Sequence, residues 1–305
     1  MGNSQVSHLA ARRRSGRFEQ NRIGFAPLGL PFRSVFAAGL GAMSQKARTS
    51  WAVAMTSVCP MLAISLLSAI AGPAAAAPDA NALLRAAFDN WRSKSSTTEI
   101  TMTVHRPDWE RSLQMKTWTQ GDDNALVHFV SPAKEAGNAT LKMKSDTWVF
   151  NPKLNQVIKL PASMMEQSWM GSDFSYNDLA KADDLLTQYT NKIVDSRPDN
   201  AHTVYTIEAT PKPGAPVVWG KLTVKVRDDG VMLGETYFDQ DMKPVRTMVT
   251  DKVALVGGRQ FPDVMTMHPA DAPENWTRIE TQSGTFDVTL PGYVFTLSNL
   301  QNPRD

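Results

Sequence analysis

The 305-residue chain has one cysteine, Cys59, and none after it. Everything downstream therefore lacks disulfides, thiol nucleophiles, C-x-x-C redox centres and cysteine-ligated zinc. Histidine is almost as scarce. Beyond His8 there are His105, His128, His202 and His268, no two of them at the spacing of a helical zinc motif. Each of these four falls on strand-like alternation, where a histidine faces solvent or fills a polar gap. A G-x-x-x-x-G-K-[ST] phosphate loop and a G-x-S-x-G nucleophile elbow are also missing. Of the acidic pairs Asp122-Asp123, Asp183-Asp184 and Asp228-Asp229, the first and third sit where hairpins must turn. The stretch "DQDMK", Asp239 to Lys243, lacks the glycine and terminal glutamate of a calcium loop. No nucleophile–base pair stands out, so the expectation is a protein that is not an enzyme and needs no metal or cofactor.

One long apolar run is present, "WAVAMTSVCPMLAISLLSAIAG". It follows Lys46 and Arg48 and ends in the small-residue stretch "PAAAAPDA". Basic n-region, apolar h-region and an A-x-A site at Ala74 and Ala76 make residues 43–76 a signal peptide, with the mature chain beginning near Ala77. A membrane anchor is the competing reading, opposed by Pro60 and Pro73. Lipid attachment fits poorly, because Cys59 lies inside the h-region. Residues 1–42, with "ARRRSGRFEQNR", read as a mis-annotated or disordered extension ahead of Met43. The protein is expected to be exported.

The formal charge of +2 belongs to the leader. Residues 1–76 hold eight Lys/Arg and one Glu, so of 32 bases and 30 acids the remainder keeps 24 and 29, a net of −5. A nucleic-acid partner has no basic surface to meet. The roughly 229 residues that remain suffice for a single core, since a chain of that size buries about 70–75% of its unfolded surface. One domain, 77–305, is expected, and as a monomer.

Within that domain, Leu83, Leu84, Ala87, Phe88 and Trp91 recur at helical spacing between Asp79 and Arg92. The period then changes to two. "TEITMTVHRPDWERSLQMKTW" alternates, turns at Pro107-Asp108 and alternates again, a hairpin signal. Short strands follow in "NALVHFV", "ATLKMK", "TWVF" and "NQVIKL". After residue 188 come "YTNKIVDS", "HTVYTIEAT", "GKLTVKVRDDG", "VMLGETYFDQD", "PVRTMVTD", "FPDVMTMH", "WTRIETQ" and a last "YVFTLSNL". Ten to twelve strands with turns about every ten residues describe an antiparallel sandwich or barrel. Eleven methionines and seven tryptophans lie after residue 76, and Met102, Met115, Met143, Met265 and Met267 sit on strand patterns. Flexible thioethers suit an adaptable apolar surface, and ordinary core filling equally.

The stretch that breaks the meander is "PASMMEQSWMGSDFSYNDLAK". Met164, Met165, Trp169, Met170 and Phe174 are too apolar for a plain surface loop, and Gly171 permits a positive φ. Ser175 and Asp178 stand at capping-box spacing, which places a short helix start at Tyr176 and turns Leu179 inward. The bland reading is a loop and a capped helix turn, and the functional one is a lid over an apolar cavity.

"SWMGSDFSYNDL" resembles the F-M-G-S-D-F-x-x-D-L signature of the outer-membrane lipoprotein-sorting protein family, relatives of the periplasmic carrier LolA often associated with exporters of the RND/MMPL type. The signature maps onto Gly171, Ser172, Asp173, Phe174, Asp178 and Leu179. "SPAKEAGNATLKMKSDTWVFNPKLNQVIKLP", "YFDQDMKPVRTM" and "VGGRQFPDVMTM" resemble the family in the same order. The resemblance implies a mainly β fold, a curved antiparallel sheet forming an unclosed half-barrel with helices and loops as a lid. It implies a carrier that binds lipid or lipoprotein acyl chains and moves them toward the outer membrane, with an inner-membrane RND/MMPL-type transporter as partner. The other reading it leaves open is an envelope-stress sensor with the same half-barrel, binding lipid as a signal. The apolar strand faces then supply the cavity candidates Met102, Val104, Leu113, Met115, Val127, Phe129, Leu141, Met143, Trp148 and Phe150, with Trp169, Met170 and Phe174 at the lid.

Overall fold

The computed structural model describes residues 78–180 and 183–304, which belong to one compact unit, Ala71–Asp305. The readings of residues 1–42 as an extension and 43–76 as a signal peptide lie outside the described residues.

Helix α1 runs Ala80–Arg92. The Asp79 carboxylate caps it by accepting the Ala82 N–H at 3.0 Å, satisfying one of the orphan donors of the first turn. Leu84 and Ala87 are buried on its inner face. The chain then folds into β1 (Ser95–Arg106), β2 (Trp109–Gln120), β3 (Asn124–Ser131), β4 (Ala139–Met143), β5 (Asp146–Asn151) and β6 (Gln156–Lys159). A crossing segment carries two short helices, α2 (Tyr176–Ala180) and α3 (Asp184–Thr187). The second meander is β7 (Tyr189–Asp199), β8 (His202–Pro211), β9 (Lys221–Arg227), β10 (Met232–Phe238), β11 (Pro244–Val256), β12 (Arg259–Pro269) and β13 (Trp276–Phe286), followed by α4 (Leu297–Gln301).

All thirteen strands form one antiparallel sheet in the order β6-β5-β4-β3-β2-β1-β13-β12-β11-β10-β9-β8-β7. The first and last strands meet at its centre, with Met102 opposite Ile279. The two edges, β6 and β7, do not pair, so the sheet is an unclosed half-barrel rather than a barrel. The chain passes from one edge to the other through residues 160–188, and this passage lays the crossing segment over one face.

Because side chains alternate along a strand, the register sorts the residues by face. Met102 opposes Leu113, Ile100 opposes Met115, and Met115 opposes Phe129. On the other side Met102 opposes Ile279, which opposes Met265. This covered face packs against Trp169, Met170, Phe174 and Leu179 of the crossing segment. On the opposite face Leu126 pairs with Leu141 and Leu141 with Trp148. There the C-terminal segment covers them through Tyr293, Val294, Phe295 and Leu300.

That C-terminal segment corrects one expectation. "YVFTLSNL" is not a strand but a turn entering α4, capped by Thr296 Oγ1, which accepts the Asn299 N–H at 3.2 Å. Its aromatic and β-branched residues carry strand propensity, but they serve as an apolar cover for a finished sheet, and tertiary burial overrides local preference. His128 is also settled: it is buried beside the Trp118 ring, 5.6 Å between centroids.

Candidate functional site: an apolar cavity under a clamped segment

The covered face encloses a cavity of about 310 Å³, at the lower end of the range for small-molecule sites. Its sheet side is mainly apolar, with Ile100, Met115 and Val127 from one meander and Leu222, Met248 and Met265 from the other. Helix α1 contributes Leu84, Phe88, Trp91 and Arg92, and α3 contributes Leu185 and Leu186. Trp169, Phe174 and Leu179 close the side formed by the crossing segment.

Three arginines from three strands hold that segment in place. Arg106 of β1 grips Asp173 with Nη2 to Oδ1 at 2.9 Å and Nη1 to Oδ2 at 3.2 Å. Thr277 of β13 donates to the same carboxylate at 2.6 Å and accepts the Asp173 N–H at 3.0 Å. Arg111 of β2 donates to the Met170 carbonyl. Arg246 of β11 donates to the Asp173 carbonyl at 2.8 Å and to Asp178 at 2.9 and 2.5 Å. Its guanidinium also lies 4.3 Å from the centre of the Tyr237 ring and 4.8 Å from that of Trp219, an attractive placement for a cation. Fork-to-fork pairing of this kind fixes geometry as well as contributing energy.

Inside the segment the signature residues account for one another. Gly171 has φ +70° and the preceding Met170 φ +53°, and this pair of left-handed residues turns the chain so that the Phe174 carbonyl accepts the Trp169 N–H at 2.7 Å. Ser172 donates to the Trp169 carbonyl at 2.7 Å and accepts from the Phe174 N–H at 3.2 Å. Ser175 and Asp178 form the reciprocal capping box at the start of α2: Asp178 Oδ2 accepts the Ser175 N–H at 2.7 Å and Ser175 Oγ accepts the Asp178 N–H at 3.4 Å. Trp169 is 4% exposed, packs its ring tilted against that of Phe129 with centroids 5.4 Å apart and donates its indole N–H to Thr140 at 3.2 Å. It is a buried plug rather than an exposed flap.

The expected cavity residues divide into three groups. Met115, Val127, Trp169 and Phe174 line the cavity. Met102, Val104, Leu113 and Phe129 share the covered face but pack solidly beneath the crossing segment, to which Met170 itself belongs. Leu141, Met143, Trp148 and Phe150 belong to the opposite face, under the C-terminal cover. For these last four the correction follows from parity. On β4 and β5 it is Thr140, Lys142, Thr147 and Val149 that register with Val127 and Ala125.

Two polar residues in the lining escape a reading based on apolar alternation. Glu235 of β10 lines the cavity, registers with Met248 and Val224, and accepts the Tyr237 hydroxyl at 2.7 Å. Burial pushes its carboxyl up to about 7, partly offset by the Tyr237 hydrogen bond. Arg92, at the end of α1, is the other. The only signal for Glu235 was its place two residues from Tyr237 on a strand whose inward face is otherwise apolar. His202, Asp228 and Asp229 come within ion-binding distance of one another at an exposed turn, where Arg227 already holds Asp229 at 2.9 Å.

A protein-family model described as "Uncharacterized protein" matches residues 121–302, more than half of the chain. No curated protein matches it. Among solved structures, it is similar to a DUF1329 family protein from Desulfovibrio piger, with TM-score 0.65, 23% identity, and coverage of 72% of this chain and 97% of that one. It is similar to a domain assigned as an outer membrane lipoprotein-sorting protein from Vibrio parahaemolyticus, with TM-score 0.63, 17% identity, and coverage of 73% and 98%. It is also similar to a LolA superfamily protein from Nitrosomonas europaea, with TM-score 0.61, 20% identity, and coverage of 73% and 99%. The chain belongs to the family described by that model, and its fold is that of the LolA superfamily and of outer membrane lipoprotein-sorting proteins.

Proposed function

We propose that the protein is an exported, non-enzymatic carrier that shelters one apolar chain, of a lipid or of a lipoprotein, in its cavity and moves it toward the outer membrane. The observation that carries this reading is the apolar cavity between α1, α3 and the concave sheet, closed on one side by Trp169 and Phe174. Each methylene placed there adds about 0.8 kcal/mol, so a chain of ordinary length is held without covalent chemistry. The basic, apolar and A-x-A stretches of residues 43–76 support it, as marks of a signal peptide that would export a single domain, 77–305, to the periplasm. So do the names of the structures that share the fold. A membrane transporter of the RND/MMPL type is the partner that would load or receive the cargo.

The test is a titration of delipidated protein with a fluorescent acyl probe. Saturable binding of one probe per chain, displaced by unlabelled lipid, is expected. Absence of saturable binding would overturn the reading.

A further inference from the structure

Arg92 occupies an unusual position. Its side chain is 7% exposed, it lines the cavity, and its Nε is buried with no hydrogen-bond partner. One terminal nitrogen donates to the Asn124 carbonyl at 2.9 Å. Among the described residues no carboxylate comes within 4 Å of the guanidinium. Of the nearby acids, Asp122 is held by Arg85 at 3.3 Å and Asp183 by Lys142 at 3.6 Å, while Asp123 acts only from a greater distance. Burial pulls the Arg92 pKa below its ordinary value, with those three acids opposing the shift.

A buried guanidinium remains charged, and a buried charge without a counter-charge costs several kcal/mol. Position at the last residue of α1 recovers part of that cost through the helix dipole, and the Asn124 carbonyl recovers some more. The Nε stays buried and unpartnered in the wall of a largely apolar cavity. Three acids also line the cavity, Asp178 and Asp184 from the crossing segment and Glu235 from β10. Arg92 is the one basic residue among the described residues of the lining, so it marks the place where an oxyanion would be held.

We propose that the ligand is a single-chain amphiphile whose head is an oxyanion, a carboxylate or a phosphate, paired with Arg92 while its chain runs under α1 and Phe174. Arginine's planar fork matches either head with two parallel hydrogen bonds. This inference rests on the carrier reading and adds to it the chemical class of the cargo and its orientation.

The experiment compares dodecanoate, dodecyl phosphate and dodecanol, one chain length with three heads, binding to the delipidated protein at pH 7.5 by calorimetry. At least one anionic probe is expected to bind tenfold or more tightly than dodecanol, and which one does so separates a fatty-acid cargo from a phosphate-headed one. Arg92→Gln is expected to bring the anion-to-alcohol ratio close to one, and Arg92→Lys to restore part of it. Equal binding of all three probes by the unmodified protein would overturn the proposal and leave the carrier reading standing. Binding of none would overturn both. A melting curve for each variant reports its folding, and if Arg92→Gln does not fold, the head-group ratio of the unmodified protein decides the matter alone.

Discussion

Arg246 and Asp178 form a two-fold hydrogen-bonded pair across the cavity wall, at 2.9 and 2.5 Å, with side chains 8% and 14% exposed. The same Asp178 carboxylate caps α2, so one group fastens the crossing segment to the sheet and starts its helix. Breaking a buried pair leaves an uncompensated charge and costs about 3–5 kcal/mol. Arg246→Ala and Asp178→Ala should each lower unfolding stability in urea by about that much, and the double variant by less than their sum. A loss under about 1 kcal/mol for Arg246→Ala would mean that the pair does not anchor the segment.

Trp169 and Phe174 stand five residues apart in the motif but should respond differently. Trp169 is packed against Phe129 within the core, so Trp169→Ala should cost about 3–5 kcal/mol of stability. Phe174 is half-buried and lines the cavity, and Phe174→Ala should weaken uptake of an acyl probe with the smaller stability loss. Paired melting curves and probe titrations of the two variants check this. Undiminished binding in both would leave the motif with a structural role only.

Two desolvated groups set opposite pH slopes. Glu235 titrates near 7 in the folded protein because burial disfavours its charge, whereas unfolded it titrates in the ordinary carboxylate range. Between those values the folded state holds more protons, so this group makes stability fall as pH rises toward 7, and no further above it. His128 is depressed to about 4, also by burial. Between 4 and its ordinary value the unfolded state holds more protons, so stability falls as pH drops through that window. Stability curves of Glu235→Gln and His128→Leu from pH 4 to pH 8.5 should each lack the corresponding slope.

Glu235 also couples binding to protons. An apolar chain that displaces water from the cavity disfavours the charged carboxyl still more. Affinity for dodecanol should therefore be higher at pH 6 than at pH 8.5, and the difference should shrink in Glu235→Gln. Calorimetry in buffers of different ionisation heat would register the proton uptake.

Much of this architecture could be read from local chemistry. The 3.6 period of α1 with Asp79 before it, the Pro107-Asp108 turn and the Ser175–Asp178 capping box are all contained within a few neighbouring residues, and each appears as expected. What could not be read depends on distant partners. Asp178 already had a local role as a cap, and its second partner, Arg246, lies 68 residues away. Arg106 and Arg111 look like ordinary charges on exposed strand positions until the crossing segment folds over them. The choice of face on β4 and β5 failed for Leu141 and Trp148 because the opposite face also acquires an apolar cover from the C-terminal segment. Apolarity alone does not say which of two covers a strand residue meets.

The central claim is that the cavity carries an amphiphile in the cell. It is tested most directly by purifying the protein without detergent from its own cells and comparing its native mass with the mass of the bare chain, with organic extraction of the same sample. The account predicts an added mass corresponding to one single-chain lipid per protein, recovered in the extract and reduced in Phe174→Ala. A bare chain with no lipid in the extract, from protein that is folded by its melting curve, would contradict it.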